Sequence, residues 1–141
     1  MTPGTVRNYN FTMSQPDLES IRVKLAGLAR EHAIDSRLKK HVFLCSDQTE
    51  PTCCSKEAGL TAWNYLKKRL NDLGLAGDGG INRSKVNCLR ICEHGPIMVI
   101  YPDGIWYHSC SPDIIERIIQ EHLIAGRIVE EYVFARQPLQ P

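Results

Sequence analysis

The sequence has no apolar run that approaches the roughly 18–20 residues needed to span a bilayer. The opening Met-Thr-Pro-Gly-Thr-Val-Arg lacks the apolar stretch of a signal peptide. Internal repeats and low-complexity segments are missing as well. Charge imbalance is also absent: 17 basic and 16 acidic residues leave a formal charge of +1. Nothing in that balance attracts nucleic acid or an anionic membrane. Together these absences predict a cytoplasmic chain with no membrane insertion and no nucleic-acid partner. There is no C-x-x-C pair of the kind that thiol–disulfide enzymes commonly place at a helix entrance. The adjacent Cys53 and Cys54 are a poor substitute, because neighbouring cysteines close a strained disulfide.

What is present fits one domain with some extension. The 141 residues are 43% hydrophobic and 23% charged, near globular averages. Six cysteines stand out. In a compartment that keeps thiols reduced, clustered cysteines more often bind metal or do chemistry than form disulfides.

The hydrophobic pattern predicts the elements. Ser14 with Asp17 resembles a capping box, and Leu18, Ile21, Leu25, Leu28 and His32 recur at helical spacing, so a helix is expected over 14–33. His41–Leu44 reads as a buried strand ending at Cys45. Trp63, Leu66, Leu70 and Leu73 mark a second helix that stops at Gly74. A strand follows near Ile81–Val86. Ile97–Tyr101 and Ile105–Tyr107 flank Pro102-Asp103-Gly104, a hairpin signal. Ser111-Pro112-Asp113 opens a last helix with Ile115, Ile118, Ile119 and Leu123 on its buried side. The order is strand–helix–strand, then strand–strand–helix. Joined in one sheet, it makes a thioredoxin-like α/β fold with an extra N-terminal helix. The expected division is an N-terminal arm and helix over 1–38, the thioredoxin-like domain over 39–135 and a C-terminal tail over 136–141. Residues 127–135 are apolar enough to dock, on this chain or on a partner.

In this topology Cys45 ends the first strand, Cys53 and Cys54 precede the second helix, and Cys88 and Cys92 occupy the loop after the second strand. These points can lie at one sheet edge, so that two cysteine pairs distant in sequence can converge. Four thiolates are what one [2Fe–2S] cluster or one zinc ion needs. Zinc knuckles usually use C-x₂₋₄-C pairs, whereas a wide first loop before a C-x₃-C pair suits a two-iron cluster better. The plant-type and bacterial ferredoxin runs are both absent, so spacing favours iron–sulfur and leaves zinc open.

The stretches His41-Val-Phe-Leu-Cys45, Cys88-Leu-Arg-Ile-Cys92 with Gly95-Pro96, and Tyr101-Pro-Asp-Gly-Ile-Trp106-Tyr107 resemble the thioredoxin-like [2Fe–2S] ferredoxins of bacteria. Their module is shared with a peripheral subunit of respiratory NADH dehydrogenases. The likeness runs from about residue 40 to 135. It implies one [2Fe–2S] cluster on Cys45, Cys54, Cys88 and Cys92, and one-electron transfer between a reductase and an acceptor rather than catalysis. A homodimer is often implied too. Members of that family place one ligand just ahead of a Ser-Lys-Glu-Ala-Gly-like helix entrance, which favours Cys54 over Cys53. An electron-relay subunit of a larger complex and a thiol–disulfide protein on the same fold are the alternatives.

The other singled-out residues have plainer expected roles. Backbone N–H groups of the Cys88–Cys92 loop and the entrance of the second helix should face the sulfurs. Lys56 and Arg90 are expected to be solvated charges, and Ile91 to exclude water if it points inward. Trp106 and Tyr107 should pack across strands. His94 and His108 are expected not to ligate, Cys110 to be a buried free thiol, and the Gly95–Pro96 bond to be trans.

Overall fold

Residues 17–139 are the part of the chain described by a computed structural model. They form α1 (Leu18–Glu31), β1 (Lys40–Cys45), α2 (Lys56–Asp72), β2 (Ile81–Val86), β3 (Met98–Tyr101), β4 (Ile105–Tyr107), α3 (Pro112–Arg117) and β5 (Val133–Arg136). Beyond α3 the chain continues in wider π-type turns through Ile118–Ile124. The strands line up as β2-β1-β3-β4-β5. β1 and β2 run parallel, and the remaining neighbours are antiparallel. This is the expected thioredoxin-like order. The fifth strand is the addition: the apolar segment after residue 127 docks on its own chain, with Ala135 opposite Trp106.

The sheet has two unlike faces. Paired residues share a face, so Val42, Leu44, Met98, Ile100, Ile105 and Tyr107 all point to one side. There they meet Ala62, Trp63, Leu66 and Leu70 of α2 and Ile115, Ile118 and Ile119 of the last helix. Burial of each large side chain stabilises the fold by about 1.5–3 kcal/mol. α2 begins where the Ser55 hydroxyl accepts the Ala58 N–H. It ends before Gly74, whose φ of +70° suits a residue without a Cβ. The opposite face carries His41, Phe43, Val99, Tyr101 and Trp106. His41 stacks on Phe43 at 4.2 Å, and Trp106 meets Phe134 edge-on. Neither α2 nor α3 covers that side.

α1 departs from expectation. Asp17 caps it by accepting the Glu19 N–H, while Ser14 and Pro16 lie outside the described residues. The helix expected over 14–33 is seen from Leu18 to Glu31; despite its apolar spacing no residue of it is buried, and Leu18 is 76% exposed. Among the described residues nothing covers its apolar side. The C-terminal segment also differs from a simple tail. Arg136 pairs opposite Ile105, Gln137 N–H donates to the Gly104 carbonyl and Leu139 N–H to that of Pro102. Gly95–Pro96 is cis rather than the expected trans, as is Tyr101–Pro102.

A polar chain crosses the core beside the hairpin. Val129 N–H donates to the Tyr107 hydroxyl at 3.1 Å, and that hydroxyl lies 2.8 Å from His122 Nδ1. His122 Nε2 lies 2.6 Å from Asp103, which Lys40 Nζ also reaches at 2.8 Å. Because the Tyr107 oxygen already accepts, its proton goes to Nδ1 and the imidazole donates through Nε2. His122 is only 2% exposed, so each link replaces water that cannot enter. Burial alone would raise the Asp103 carboxyl, but Lys40 and His122 outweigh it and hold the pKa below the ordinary value. A depressed carboxyl stabilises the fold above its unfolded pKa and loses that contribution as pH falls through the folded one. Asp103→Asn should therefore cost about 2 kcal/mol at neutral pH in urea unfolding. The gap to the parent should close under acidic conditions, and a constant gap would contradict this account.

Candidate functional site

The end of β1 carries its last side chain, Cys45, to the uncovered side of the sheet, because Cys45 and Phe43 share a face. From there the chain loops through Gln48 and returns at Cys53 and Cys54, directly before the Ser55 cap of α2. Cys45 Sγ lies 3.5 Å from Cys53 Sγ, and the two sulfurs of the doublet are 3.8 Å apart. Cys45 is 2% exposed and Cys53 9%, whereas Cys54 is half-buried. Ile97, Leu89 and Trp106 pack around these cysteines in a small apolar cluster separate from the main core.

The loop after β2 comes to the same place through its backbone. The Asn87 carbonyl is 3.9 Å from Cys45 Sγ, and the Leu89 side chain packs against the same cysteines. Asn87 clamps the two loops together: its Oδ1 accepts the Thr49 N–H at 3.1 Å and its Nδ2 donates to Thr49 Oγ1 at 2.7 Å. Cys88 and Cys92 thus flank a segment anchored on Cys45, with both thiols exposed. Arg90, at φ +71°, donates its N–H to Cys88 Sγ at 3.2 Å. The loop thus supplies one backbone donor to sulfur, whereas the entrance of α2 supplies none among the described residues. Past Cys92, Gly95 N–H donates to the Cys53 carbonyl at 2.8 Å.

Among the described residues, no three Cys, His, Asp or Glu side chains already stand in the geometry of a metal-ion site. The donor set nevertheless has a consistent chemistry. All six cysteines are free thiols. Soft sulfur donors collected in a partly dry pocket, with amide N–H groups aimed at them, suit iron–sulfur or zinc rather than a hard oxygen-loving cation. Burial pushes the Cys45 thiol well above its ordinary pKa, and the adjacent Cys53 sulfur acts in the same direction. Burial likewise raises Cys54. Ionising these thiols in place is costly unless a cation compensates the charge.

The other expectations sort clearly. Cys110 is fully buried in the main core, its thiol raised by burial, away from the cysteine pocket. His108 bonds Ser109 and packs on Tyr132 and Phe134, and His94 is exposed. Ile91, 39% exposed, lines an open groove with His94, His108 and Phe134 rather than closing over sulfur. Lys56 is a surface cation paired with Asp47 at 3.4 Å. Sequence reasoning missed Gln48. It lies three residues beyond Cys45, is 2% exposed and points Nε2 at the sulfurs of Cys45, Cys53 and Cys54, at 3.4, 3.2 and 3.6 Å. A polar residue in a loop carries no pattern that announces burial.

A thioredoxin-like sheet with a cysteine pocket at the end of its first strand defines the class. No family model matches the chain. It is similar to a curated 2Fe-2S ferredoxin of Aquifex aeolicus, at 29% identity over 102 residues, covering 69% of this chain and 90% of that one. It is also similar to a 2Fe-2S ferredoxin of Clostridium pasteurianum, at 29% identity over 97 residues, covering 65% and 92%. Among solved structures, the thioredoxin-like [2Fe-2S] ferredoxin of Aquifex aeolicus superposes with a TM-score of 0.60 at 25% identity, covering 74% of this chain and 96% of that one. The likeness to thioredoxin-like [2Fe–2S] ferredoxins read from the motifs is thus found again in sequence comparison and in fold.

Gly95 tests how tightly the pocket is built. A Cβ there would lie 2.7 Å from Cys53 Sγ and 3.0 Å from Cys53 Cβ. Gly95→Ala should destabilise the protein by about 1–3 kcal/mol through overpacking, measured by denaturant unfolding. An unchanged midpoint would mean that the Cys53 and Gly95 backbones are not in contact.

Proposed function

We propose that this protein is a soluble one-electron carrier holding one [2Fe–2S] cluster through Cys45, Cys54, Cys88 and Cys92. One observation supports it most: the chain that leads into the C-x₃-C pair passes the Cys45 sulfur, with the Asn87 carbonyl 3.9 Å from it and Leu89 in the cluster around Cys45, Cys53 and Cys54. A cluster bound there supplies a one-electron couple. The chain's own part is to present four sulfurs, surround the inner ones with Ile97, Leu89 and Trp106, and direct N–H groups at them. Cys54 takes the fourth position because it stands directly before the α2 cap. The 3.5 Å approach of Cys53 to Cys45 gives it a competitor.

A thiol–disulfide role on this fold has less support. An attacking cysteine needs a lowered pKa, and burial moves Cys45 and Cys54 the other way. The carrier reading needs redox partner proteins, a reductase and an acceptor, and no catalysis of its own. Among the described residues no helix is long and apolar enough to cross a membrane. A cytoplasmic location fits the near-zero net charge and reduced cysteines. A homodimer has support in the sheet face left uncovered by α2 and α3, where Phe43, Trp106 and Phe134 lie partly exposed. The division into an arm and helix over 1–38, a domain over 39–135 and a tail over 136–141 completes the proposal, with the strand that ends at Arg136 spanning the last boundary.

Protein purified without oxygen should be coloured and contain iron and sulfide in equal amounts, about two of each per chain. Its visible absorption should bleach on one-electron reduction, with a paramagnetic resonance signal. Colourless protein with stoichiometric zinc would end the reading. Cys92→Ser and Cys54→Ser should lose most of the iron, whereas Cys53→Ser and Cys110→Ala should retain it. Iron kept by Cys54→Ser and lost by Cys53→Ser would transfer the fourth position to Cys53.

A further inference from the structure

Two buried polar side chains follow Cys45 that the ligand assignment does not use, Ser46 and Gln48, and of these Gln48 faces the sulfurs. Its carboxamide is enclosed between two elements. On one side Nε2 faces three cysteine sulfurs at 3.2–3.6 Å. On the other, Oε1 is buried without a hydrogen-bond partner, against the first turn of α2. Gly59 makes that approach feasible, since a Cβ there would lie 3.3 Å from Gln48 Oε1 and 3.3 Å from Ser46 Cα. A buried amide oxygen left unpaired is a real cost, and a fold keeps such a cost where the other end of the group returns it.

The orientation follows from charge. Sulfurs that bind metal do so as thiolates. Turning the amide over would place oxygen lone pairs against three sulfurs of like sign, so the nitrogen must face them. We infer that Gln48 is a positioning and tuning residue: its N–H group is the side-chain donor shared by Cys45 and the Cys53–Cys54 doublet, and it raises the reduction potential of the cluster held there. The inference rests on the proposed cluster, and it holds whichever thiol of the doublet is the ligand. A donor to ligand sulfur stabilises the reduced, more negative state more than the oxidised one. Inside a low-dielectric pocket that difference is not screened away by water.

Two variants test this. Gln48→Met keeps an unbranched side chain and removes the donor. Gln48→Glu keeps the shape and turns the donor into an acceptor. Both would be purified anaerobically with the parent and titrated to obtain reduction potentials. Gln48→Met should shift the reduction equilibrium about tenfold toward the oxidised form, which is about 59 mV for a one-electron couple. Gln48→Glu should shift it further the same way once its carboxyl ionises. If only one variant folds and holds iron, its potential decides alone. If neither holds iron while both iron-free proteins unfold at the urea midpoint of the iron-free parent, the positioning role stands. Potentials equal to or above the parent's overturn the inference, as does iron loss with general unfolding in both variants. A parent without iron and sulfide is a separate outcome: it removes the cluster reading itself.

Discussion

The structure turns on the burial of sulfur at the end of β1. Cys45 is almost completely withdrawn from water, and the groups that reach its sulfur are the Cys53 sulfur, one side-chain amide and the Asn87 carbonyl. A thiol in that setting is content only while neutral. Every element around it serves to bring compensation close. The parallel β1–β2 pair sets Cys45 opposite Val86, so the chain leaving β2 must pass the pocket. The Asn87–Thr49 clamp then holds the two loops in register, and Gly95 closes the circuit on the Cys53 backbone.

The two-faced sheet explains why the pocket can be both anchored and reachable. On one face, the aliphatic core with α2 and α3 supplies rigidity, and the Asp103–His122–Tyr107 chain ties the hairpin to the last helix from within. On the other face, aromatic side chains form a thinner layer, and the cysteine pocket lies at its end. Trp106 joins the two descriptions. It packs beside the cysteines while its ring meets Phe134 edge-on. The expectation that strand aromatics pack across strands holds for it and for Tyr107, but only Tyr107 belongs to the main core.

What was legible in the sequence followed strong local signals. Short apolar runs, helical spacing, the Pro102-Asp103-Gly104 turn and the Gly74 stop placed the first four strands and α2 close to where they lie, since each is a short-range preference. The approach of the Cys53–Cys54 doublet to the end of β1 was legible because topology alone brings that strand end and the α2 entrance together. Three features were not. The fifth strand is short and reads as an apolar patch with no turn of its own. The amphipathic stripe of α1 shows that a helix has an apolar side, and it does not show what covers it. Gln48 and His122 are polar residues whose burial is decided by tertiary partners, so no periodicity marks them.

Charge around the pocket also ranks differently once positions are known. Lys56 and Lys85 both approach it in sequence, yet each spends its charge on Asp47, at 3.4 and 3.1 Å, on an exposed surface. Arg90 is exposed as well, and what it gives the pocket is its backbone N–H. A unit charge 4 Å away is worth about 1 kcal/mol in water and several-fold more in a partly dry site. Solvated cations already paired with a carboxylate therefore count for little. The uncharged Gln48 amide is buried and directed, so it outweighs them. Control over negative charge on the pocket's sulfurs then lies with fixed dipoles of the fold, not with its surface ions. That suits a chain whose net charge is close to zero and whose pocket is shaped by backbone and one carboxamide.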